Sequence, residues 1–425
     1  MNQAVGDRRH EGDLVSSLPP IVGRYKRAVM DMMALVHRLN ADPSSASATC
    51  LSLQRTLLNR IRYVENQIRV TRLQIKSAKA VLSKYAGSDA DRIHQRQIKS
   101  DIKARSSKLE GYKRVLHILK DIGDALAFTY IDKYDIKPMR FKEASGFVSG
   151  KAGLRKEWRV LQKIFNLGGV GILNDVTHCL RYGDITAGQG DRLFAIVEVK
   201  SGTHRNQRAR RQSANIKRIV DYLKTDVTHD LYGMQGEFKR FAVYSEEVSH
   251  RERLDTIIRQ ARKCGLYWEE VEKGLFYVVM YEPRLDWMAS VQQRCKGQPM
   301  LAFVNEFKWQ NLAYYPFALS IHNLDALWEF YLGQMFIAIV VDTKILEERF
   351  NSTGLSAELL DEENCVMKIH FPDGQMPGSE ETECKVSRRF FGRLFAEFLS
   401  LEWLCYQIAC NARNIDSQLR MKPVP

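Results

Sequence analysis

The sequence lacks the patterns that mark several common classes of protein. Its eight cysteines include no CxxC pair, and its ten histidines form no cluster at ligand spacing, which argues against a zinc site. No apolar run approaches the ~20 residues that span a bilayer, and residues 1–20 contain no apolar core of signal-peptide length. We therefore expect a reduced, cytoplasmic protein with free thiols and no membrane partner.

Proline and glycine are also scarce, at 11 and 26 of 425 residues, which excludes collagen-like and linker-like chains. The sequence has no internal repeat and no Gly-rich phosphate loop of the Walker type, so no ATPase motor is predicted. Hydrophobic residues make up 45% of the chain and charged residues 27%, which is typical of a folded protein with two or three domains.

The net charge of +14 is concentrated in one part of the chain. Residues 51–120 carry 17 Lys/Arg and 5 Asp/Glu, whereas residues 301–425 carry 11 and 17. A charge excess of this kind favours a polyanionic partner but does not name one.

Two heptad seams within this basic region predict a long antiparallel helical hairpin. Seam positions alternate by four and three residues from Leu57 to Leu82 and again from Ile98 to Leu119, with helix-ending and helix-starting residues at 86–89. We predict a helical or irregular lead over 1–50 and the hairpin over 51–136. Its exposed lysines and arginines indicate a solvated coiled-coil face, a dimerisation arm or an arm that follows a phosphate backbone.

The candidate catalytic region is an apolar strand that ends in charged residues. The run from Leu193 to Lys200 is apolar except for Glu198 and Lys200, which strand alternation places on one face. A preceding hairpin turn returns Asp184 to the same end. Two converging carboxylates are suitable ligands for Mg²⁺ or Mn²⁺, and a nearby lysine can orient or help to deprotonate a water. The arrangement predicts hydrolysis of a phosphodiester; the alternative is a strand-end salt bridge between Glu198 and Lys200.

These residues resemble the PD-(D/E)XK nuclease superfamily, from Gly153 to about Val248. The resemblance implies an α/β fold with a restriction-endonuclease-like mixed sheet flanked by helices, in a nuclease domain that we place at 150–285. It implies cleavage of nucleic acid, with DNA favoured over RNA and Mg²⁺ or Mn²⁺ as cofactor, in prokaryotic defence or mobile-element biology. One residue departs from the family pattern, because Gly183 replaces the proline before the aspartate.

The resemblance also assigns roles to individual residues. Asp184 and Glu198 would hold the metal, together with Glu157 from the helix before the strands. Lys200 would position the attacking water, and Gln212 would support that lysine or a phosphate. The basic residues expected to bind nucleic acid follow the strand: Arg205, Arg208, Arg210, Arg211 and Lys217.

Other residues compete for these roles. The (Asp/Glu)-x-Lys pattern occurs seven times in the chain, and Asp342-Thr343-Lys344 also ends an apolar run. Asp175 is a weaker candidate for a second metal, and Asp191 is expected to be a turn residue. Asp124, in an apolar helical stretch, is expected to be a surface carboxylate or a cap.

The last part of the chain, 300–425, is predicted to be an α+β domain with a partner or regulatory role. A final helix over 387–411 would place its aromatic side chains in the core or in a homodimer interface. The alternative to a nuclease is a non-catalytic nucleic-acid-binding or scaffold protein, with a degenerate nuclease core and the hairpin as its working part.

Overall fold

The computed structural model describes most of the chain and divides it into two compact units. The first unit is Ser16–Phe238, and the second contains Lys239–Pro425. The described residues are 19–44, 47–85, 89–139, 147–151, 153–189, 192–199, 207–230, 235–309, 314–362, 364–371 and 383–420.

Three helices open the first unit. After a 3₁₀ turn at Val22–Tyr25, α1 spans Lys26–Ala41, α2 spans Ser47–Leu82 and α3 spans Asp89–Tyr130. Helices α2 and α3 run antiparallel, since Gln95 Nε2 donates to the Tyr85 carbonyl at 2.8 Å and the Tyr112 hydroxyl donates to Gln67 Oε1 at 3.3 Å. The helical hairpin predicted from the heptad seams is confirmed.

Burial along the hairpin differs between its two ends. The α2 seam is buried from Leu57 to Thr71, at the end where α1 packs against both helices. Further along α2 the seam positions Ile75, Ala78 and Leu82 are only half-buried, since two helices alone cover less surface than three. We call residues 72–109 the distal arm; none of its described residues is buried.

Two further helices lead into a small sheet in the same unit, α4 (Lys133–Met139) and α5 (Leu154–Asn166). The strands lie in the order β1-β2-β3, and both pairings are antiparallel. Leu173 pairs with Ile185, and Ile185 pairs with Val197, so the residues before β2 and after β3 meet at one end of the sheet. The strand bounds are β1 (Val170–Leu173), β2 (Ile185–Gln189) and β3 (Arg192–Val197).

The side chain of Gln54, on α2, occupies the edge of β1. Its Nε2 donates to the Gly171 carbonyl at 2.8 Å, and its Oε1 accepts from the Leu173 N–H at 2.8 Å. Gln54 is fully buried, so a helix side chain satisfies backbone groups that a neighbouring strand would otherwise satisfy. The first unit ends with α6 (Gln207–Thr225) and a two-stranded sheet of β4 (Val227–His229) and β5 (Glu237–Lys239).

The second unit contains a four-stranded sheet in the order β6-β7-β9-β8, with antiparallel pairing throughout. Every residue of its two central strands is buried, as expected for apolar strands covered on both faces. The strands are β6 (Leu266–Glu272), β7 (Leu275–Met280), β8 (Pro299–Phe303) and β9 (Phe336–Asp342). Helices around them are α7 (Arg251–Cys264), α8 (Trp287–Gln292), α9 (Val304–Phe307), α10 (Phe317–Ser320), α11 (Leu324–Leu332) and α12 (Thr343–Ser352).

A three-stranded antiparallel sheet and three helices complete the second unit. They are β10 (Ser356–Leu359), β11 (Cys365–His370), β12 (Glu383–Ser387), α13 (Arg388–Phe391), α14 (Arg393–Ala396) and α15 (Leu401–Arg420). All eight cysteines are free. Within the described parts of the chain, no helix combines the length and apolar character needed to cross a bilayer.

The structure differs from the sequence-based expectation in three respects. The α/β class is confirmed, but the three- and four-stranded sheets are antiparallel rather than mixed. The strands at 266–280, placed in the predicted 150–285 domain, pair with β9 in the second unit, so the boundary lies at 238/239. The helix expected over 387–411 is interrupted, because Phe398 adopts a φ of 55° and the adjacent Leu399 bridges to Ser249.

Candidate functional site

Three carboxylates meet around one ammonium group in the first unit. Lys151 Nζ lies 3.0 Å from Glu157 Oε1, 2.9 Å from Asp175 Oδ2 and 2.9 Å from Asp184 Oδ1. The exposed fractions of the three carboxylate side chains are 2%, 9% and 14%, whereas that of the lysine is 32%. We call these four residues the carboxylate cluster.

Glu157 comes from the first turn of α5. The apolar residues of this helix face inward, with Leu154 and Leu161 buried, and Glu157 lies on the same face. Burial raises the pKa of Glu157 to about 7; the Lys151 hydrogen bond opposes this, and the charges of Asp184 and Asp175 add to it. Its Oε2 is buried and has no hydrogen-bond partner among the described residues.

Asp184 is held at the sheet end by the pairing of β2 with β3. Its N–H donates to the Val197 carbonyl at 2.8 Å, and its Oδ2 accepts from the Val199 N–H at 2.8 Å. Glu198 therefore follows β3 directly beside Asp184, as the hairpin argument predicts, and is half-buried. Gly183 has a φ of 73°, which proline cannot adopt, so this backbone excludes the proline of the family pattern.

Asp175 lies in a 3₁₀ turn, Asn174–Val176, that follows β1. The turn is fixed from α3, where Asp124 Oδ1 accepts from the N–H groups of His178 and Cys179 at 2.6 and 2.9 Å. Burial would raise the pKa of Asp124, but these backbone hydrogen bonds and its contact with His178 lower it. Asp124 is thus a buried anchor for the turn, not a surface carboxylate.

Lys151 lies at the end of a turn that α2 holds in place. Glu65 Oε2 accepts from the Ser149 N–H at 2.7 Å, and the Lys151 N–H donates to the Val148 carbonyl at 3.1 Å. Burial alone would lower the pKa of Lys151, but the charge of Asp175 and the hydrogen bonds to the three carboxylates raise it. The lysine is therefore a cation, and it offsets part of the negative charge of the cluster.

The donor chemistry of the cluster suits a hard divalent cation, since carboxylate oxygens are the ligands that Mg²⁺ and Mn²⁺ prefer. The unpartnered, buried Glu157 Oε2 also fits such an ion. Even so, among the described residues no group of three or more His, Cys, Asp or Glu side chains is arranged to hold a metal. The point that the three carboxylates share is taken by Lys151 Nζ.

The predicted site residues fall into three groups. Glu157 and Asp184 lie in the carboxylate cluster, and Glu198 lies next to it at the same end of the sheet. Lys200 and Arg205 lie outside the described residues, as does Asp191. The others are on α6: Arg210, Arg211 and Lys217 are exposed, and the side chains of Gln212 and Arg208 are outside the described part.

The competing motif at Asp342 has a structural explanation. Asp342 caps α12 and accepts hydrogen bonds from the N–H groups of Lys296, Gly297 and Lys344 at 2.6, 3.0 and 2.9 Å. It is 1% exposed, and these bonds account for a carboxylate at the end of a buried strand.

Sequence reasoning missed the central residue of the cluster. Lys151 lies in a short Ser-Gly-Lys turn with no motif around it, and its position depends on Glu65, more than 80 residues earlier. The sequence makes Asp175 only a weaker candidate, for a second metal. Its signal is weak: an acid directly after the apolar run of β1.

Comparison of the chain with protein-family models, with curated proteins and with solved structures finds no match in any of the three.

Proposed function

We propose that this chain is a metal-dependent nuclease that hydrolyses phosphodiester bonds in nucleic acid, with DNA favoured over RNA. The observation that carries the proposal is the meeting of Glu157, Asp175 and Asp184 at one point. This point lies at the sheet end that also carries Glu198. Three acids, from a helix, a turn and the residue before β2, converge there, and the single ammonium group of Lys151 offsets only part of their negative charge.

The chemistry follows from the residues at this sheet end. Mg²⁺ or Mn²⁺ bound there would polarise a phosphodiester and lower the pKa of a water. The Asp184 carboxylate is held in a fixed orientation, because the Val199 N–H donates a hydrogen bond to its Oδ2. In this proposal Glu198 adds a ligand and Lys200 orients the water.

The basic residues that follow Lys200 in the sequence are proposed to bind the substrate. Arg205, Arg208, Arg210, Arg211 and Lys217 would contact the phosphates of the substrate, and Gln212 would support Lys200 or a phosphate. Arg210, Arg211 and Lys217 are exposed on α6, which is compatible with such contacts.

The test is a cleavage assay on labelled single- and double-stranded DNA and RNA, with Mg²⁺, Mn²⁺ or EDTA. We expect metal-dependent products, lost in Asp184→Asn and in Lys200→Ala. Asp221→Asn, an exposed acid on α6, is the matched control and should cleave like the wild type. Circular dichroism checks folding, and equal cleavage by all four proteins would refute the site assignment.

The second candidate is a non-catalytic protein that binds nucleic acid through the distal arm. Residues 72–109 include ten Lys/Arg and three Asp/Glu, and none of the described ones is buried. A positive surface of this kind binds a phosphate backbone without reading its sequence. Salt-sensitive binding with no cleavage products under any metal condition would favour this candidate.

A further inference from the structure

The carboxylate cluster is built around a cation that belongs to the chain itself. Lys151 contributes the only positive charge among its four members, and its Nζ touches one oxygen of each acid at 2.9–3.0 Å. The three acids come from α5, from the turn after β1 and from the residue before β2. The Asn174 N–H already donates to the Asp184 carbonyl at 2.9 Å, so the backbone joins the turn to the residue before β2, and the ammonium group adds the acid of α5 to them.

The same oxygens cannot serve the lysine and a divalent ion at once. A bound Mg²⁺ or Mn²⁺ lies about 2.0–2.2 Å from its carboxylate oxygens, in the space that Lys151 Nζ fills, and the two cations repel each other. The turn that carries the lysine is attached to α2 through the Ser149 N–H, so the lysine side chain, rather than the turn, is the part free to swing out. Its 32% exposure gives it a path to solvent.

A second observation distinguishes this cluster from a simple group of acids. Glu157 is 1% exposed, and its Oε2 has no hydrogen-bond partner among the described residues, although its Oε1 contacts Lys151. A buried carboxylate oxygen without a donor is costly, and a multivalent cation would satisfy it where a single ammonium does not.

We propose that Glu157, Asp175 and Asp184 form a divalent-cation site that Lys151 keeps closed, and that the Lys151 ammonium must leave before the ion enters. Asp175 becomes a ligand in its own right, and Lys151 becomes an internal competitor of the ion. This inference rests on the proposed nuclease function in one respect, namely that the bound ion would serve cleavage.

The first test is a calorimetric titration of the full chain with Mn²⁺. Lys151→Met should lower the Kd for Mn²⁺ at least about tenfold, since the competing charge 3 Å away is removed. Adding Asp175→Asn to that variant should reverse the gain. Lys163→Met, an exposed lysine on α5, is the control and should bind like the wild type. If Lys151→Met binds Mn²⁺ no more tightly than the wild type does, the proposal is wrong.

The second test needs no substitution and therefore holds even if Lys151→Met fails to fold. Amine acylation of the wild-type chain, read by mass spectrometry, should label Lys151 several-fold more in millimolar Mn²⁺ than in EDTA, while labelling of Lys163 stays constant. Unchanged labelling of Lys151 would overturn the proposal.

The two proposals fail in different ways. Tighter Mn²⁺ binding by Lys151→Met, with no cleavage by any protein tested, supports the cation site that Lys151 keeps closed and refutes the nuclease proposal. Metal-dependent cleavage, with equal Mn²⁺ affinities in Lys151→Met and the wild type, supports the nuclease proposal and refutes the role of Lys151 as a competitor of the ion.

Discussion

Glu157 has a proton affinity that differs strongly between the folded and the unfolded chain. Burial raises its pKa to about 7 in the folded protein, whereas an unfolded glutamate titrates near 4.5. The folded state therefore binds the proton more tightly, and this contribution to stability is complete below about pH 4.5. It is lost as the pH rises to about 7, because the unfolded state then gains by ionising.

We predict that this loss amounts to on the order of 3 kcal/mol for the metal-free chain. Urea unfolding of the first unit in EDTA should show the decline between pH 4.5 and 7. Glu157→Gln should remove it, and Glu110→Gln, at an exposed position on α3, should leave it in place. A decline of equal size in both variants would assign the effect to other groups.

At the residue scale the sequence predicts Asp184 and its neighbour Glu198, and the family resemblance adds Glu157, whereas Asp175 is only a weak candidate and Lys151 is not predicted. Asp184 and Glu198 follow from alternation and from one hairpin register, which are local rules. Asp175 and Lys151 lie on turns whose positions are set by Asp124 and Glu65, on helices far away in the sequence. The sequence around Asp175 and around Lys151 contains no pattern that predicts these contacts.

Among the elements, β1 depends on a side chain from α2. We predict that Gln54→Leu, which keeps the volume but leaves the Gly171 carbonyl and the Leu173 N–H unsatisfied, destabilises this edge by about 2 kcal/mol or more. Amide exchange in peptides spanning 168–189 should accelerate more than tenfold. Gln74→Leu, an exposed change on the same helix, should leave the exchange unaltered. Equal protection in both variants would show that Gln54 does not brace the strand.

The contact between α3 and the Asp175 turn leaves no space for a side chain. A Cβ at Gly123 would lie 1.9 Å from the Val176 carbonyl oxygen, so Gly123→Ala must displace either the helix or the turn. We predict a loss of about 1–3 kcal/mol in stability and weaker binding of Mn²⁺ through the displaced Asp175. Thermal unfolding and titration should both detect the change.

Gly23→Ala provides the control for that change. No atom lies within 4 Å of a Cβ at Gly23, so this variant should unfold and bind Mn²⁺ like the wild type. Normal stability and Mn²⁺ binding in Gly123→Ala would mean that the turn moves without cost and does not position Asp175.

Element boundaries show where local rules reach their limit. The hairpin and the apolar strands β3, β6, β7 and β9 follow from periodicity, since seams and apolar runs of the right length are visible in the sequence. The interruption at Phe398 does not, because the backbone there turns to hydrogen-bond the 248–250 segment: the Phe398 carbonyl accepts from the His250 N–H at 2.7 Å. That contact is tertiary, and the helical pattern of the aromatic residues persists across it.

Across the whole molecule, the sign of the net charge changes at the boundary between the two units. Residues 16–238 carry 40 Lys/Arg and 21 Asp/Glu, whereas residues 239–425 carry 22 and 26. The net charge is +19 on the first unit and −4 on residues 239–425, so the proposed binding of nucleic acid is expected at the first unit.

Neutralising four exposed residues of the distal arm, Arg92, Arg96, Lys99 and Lys103, to glutamine should weaken binding to double-stranded DNA. We predict that it reduces the slope of log K against log salt by about 2–4, since each lost phosphate contact removes about 0.9. Anisotropy titrations at several salt concentrations measure the slope. Glutamine at Arg259, Lys263, Lys273 and Arg294, all exposed in the second unit, is the matched control. Equal slopes for the two sets would exclude the arm as the binding surface.

The glutamine at the edge of β1 also has a consequence for biosynthesis. Gln54 bonds to residues 117 and 119 positions further along the chain, so Gln54 is synthesised well before its partners exist. At about 5–20 residues per second the interval is roughly 6–24 s. During that time the amide of Gln54 lacks its two partners on β1, so this helix–strand contact can form only after residue 173 emerges.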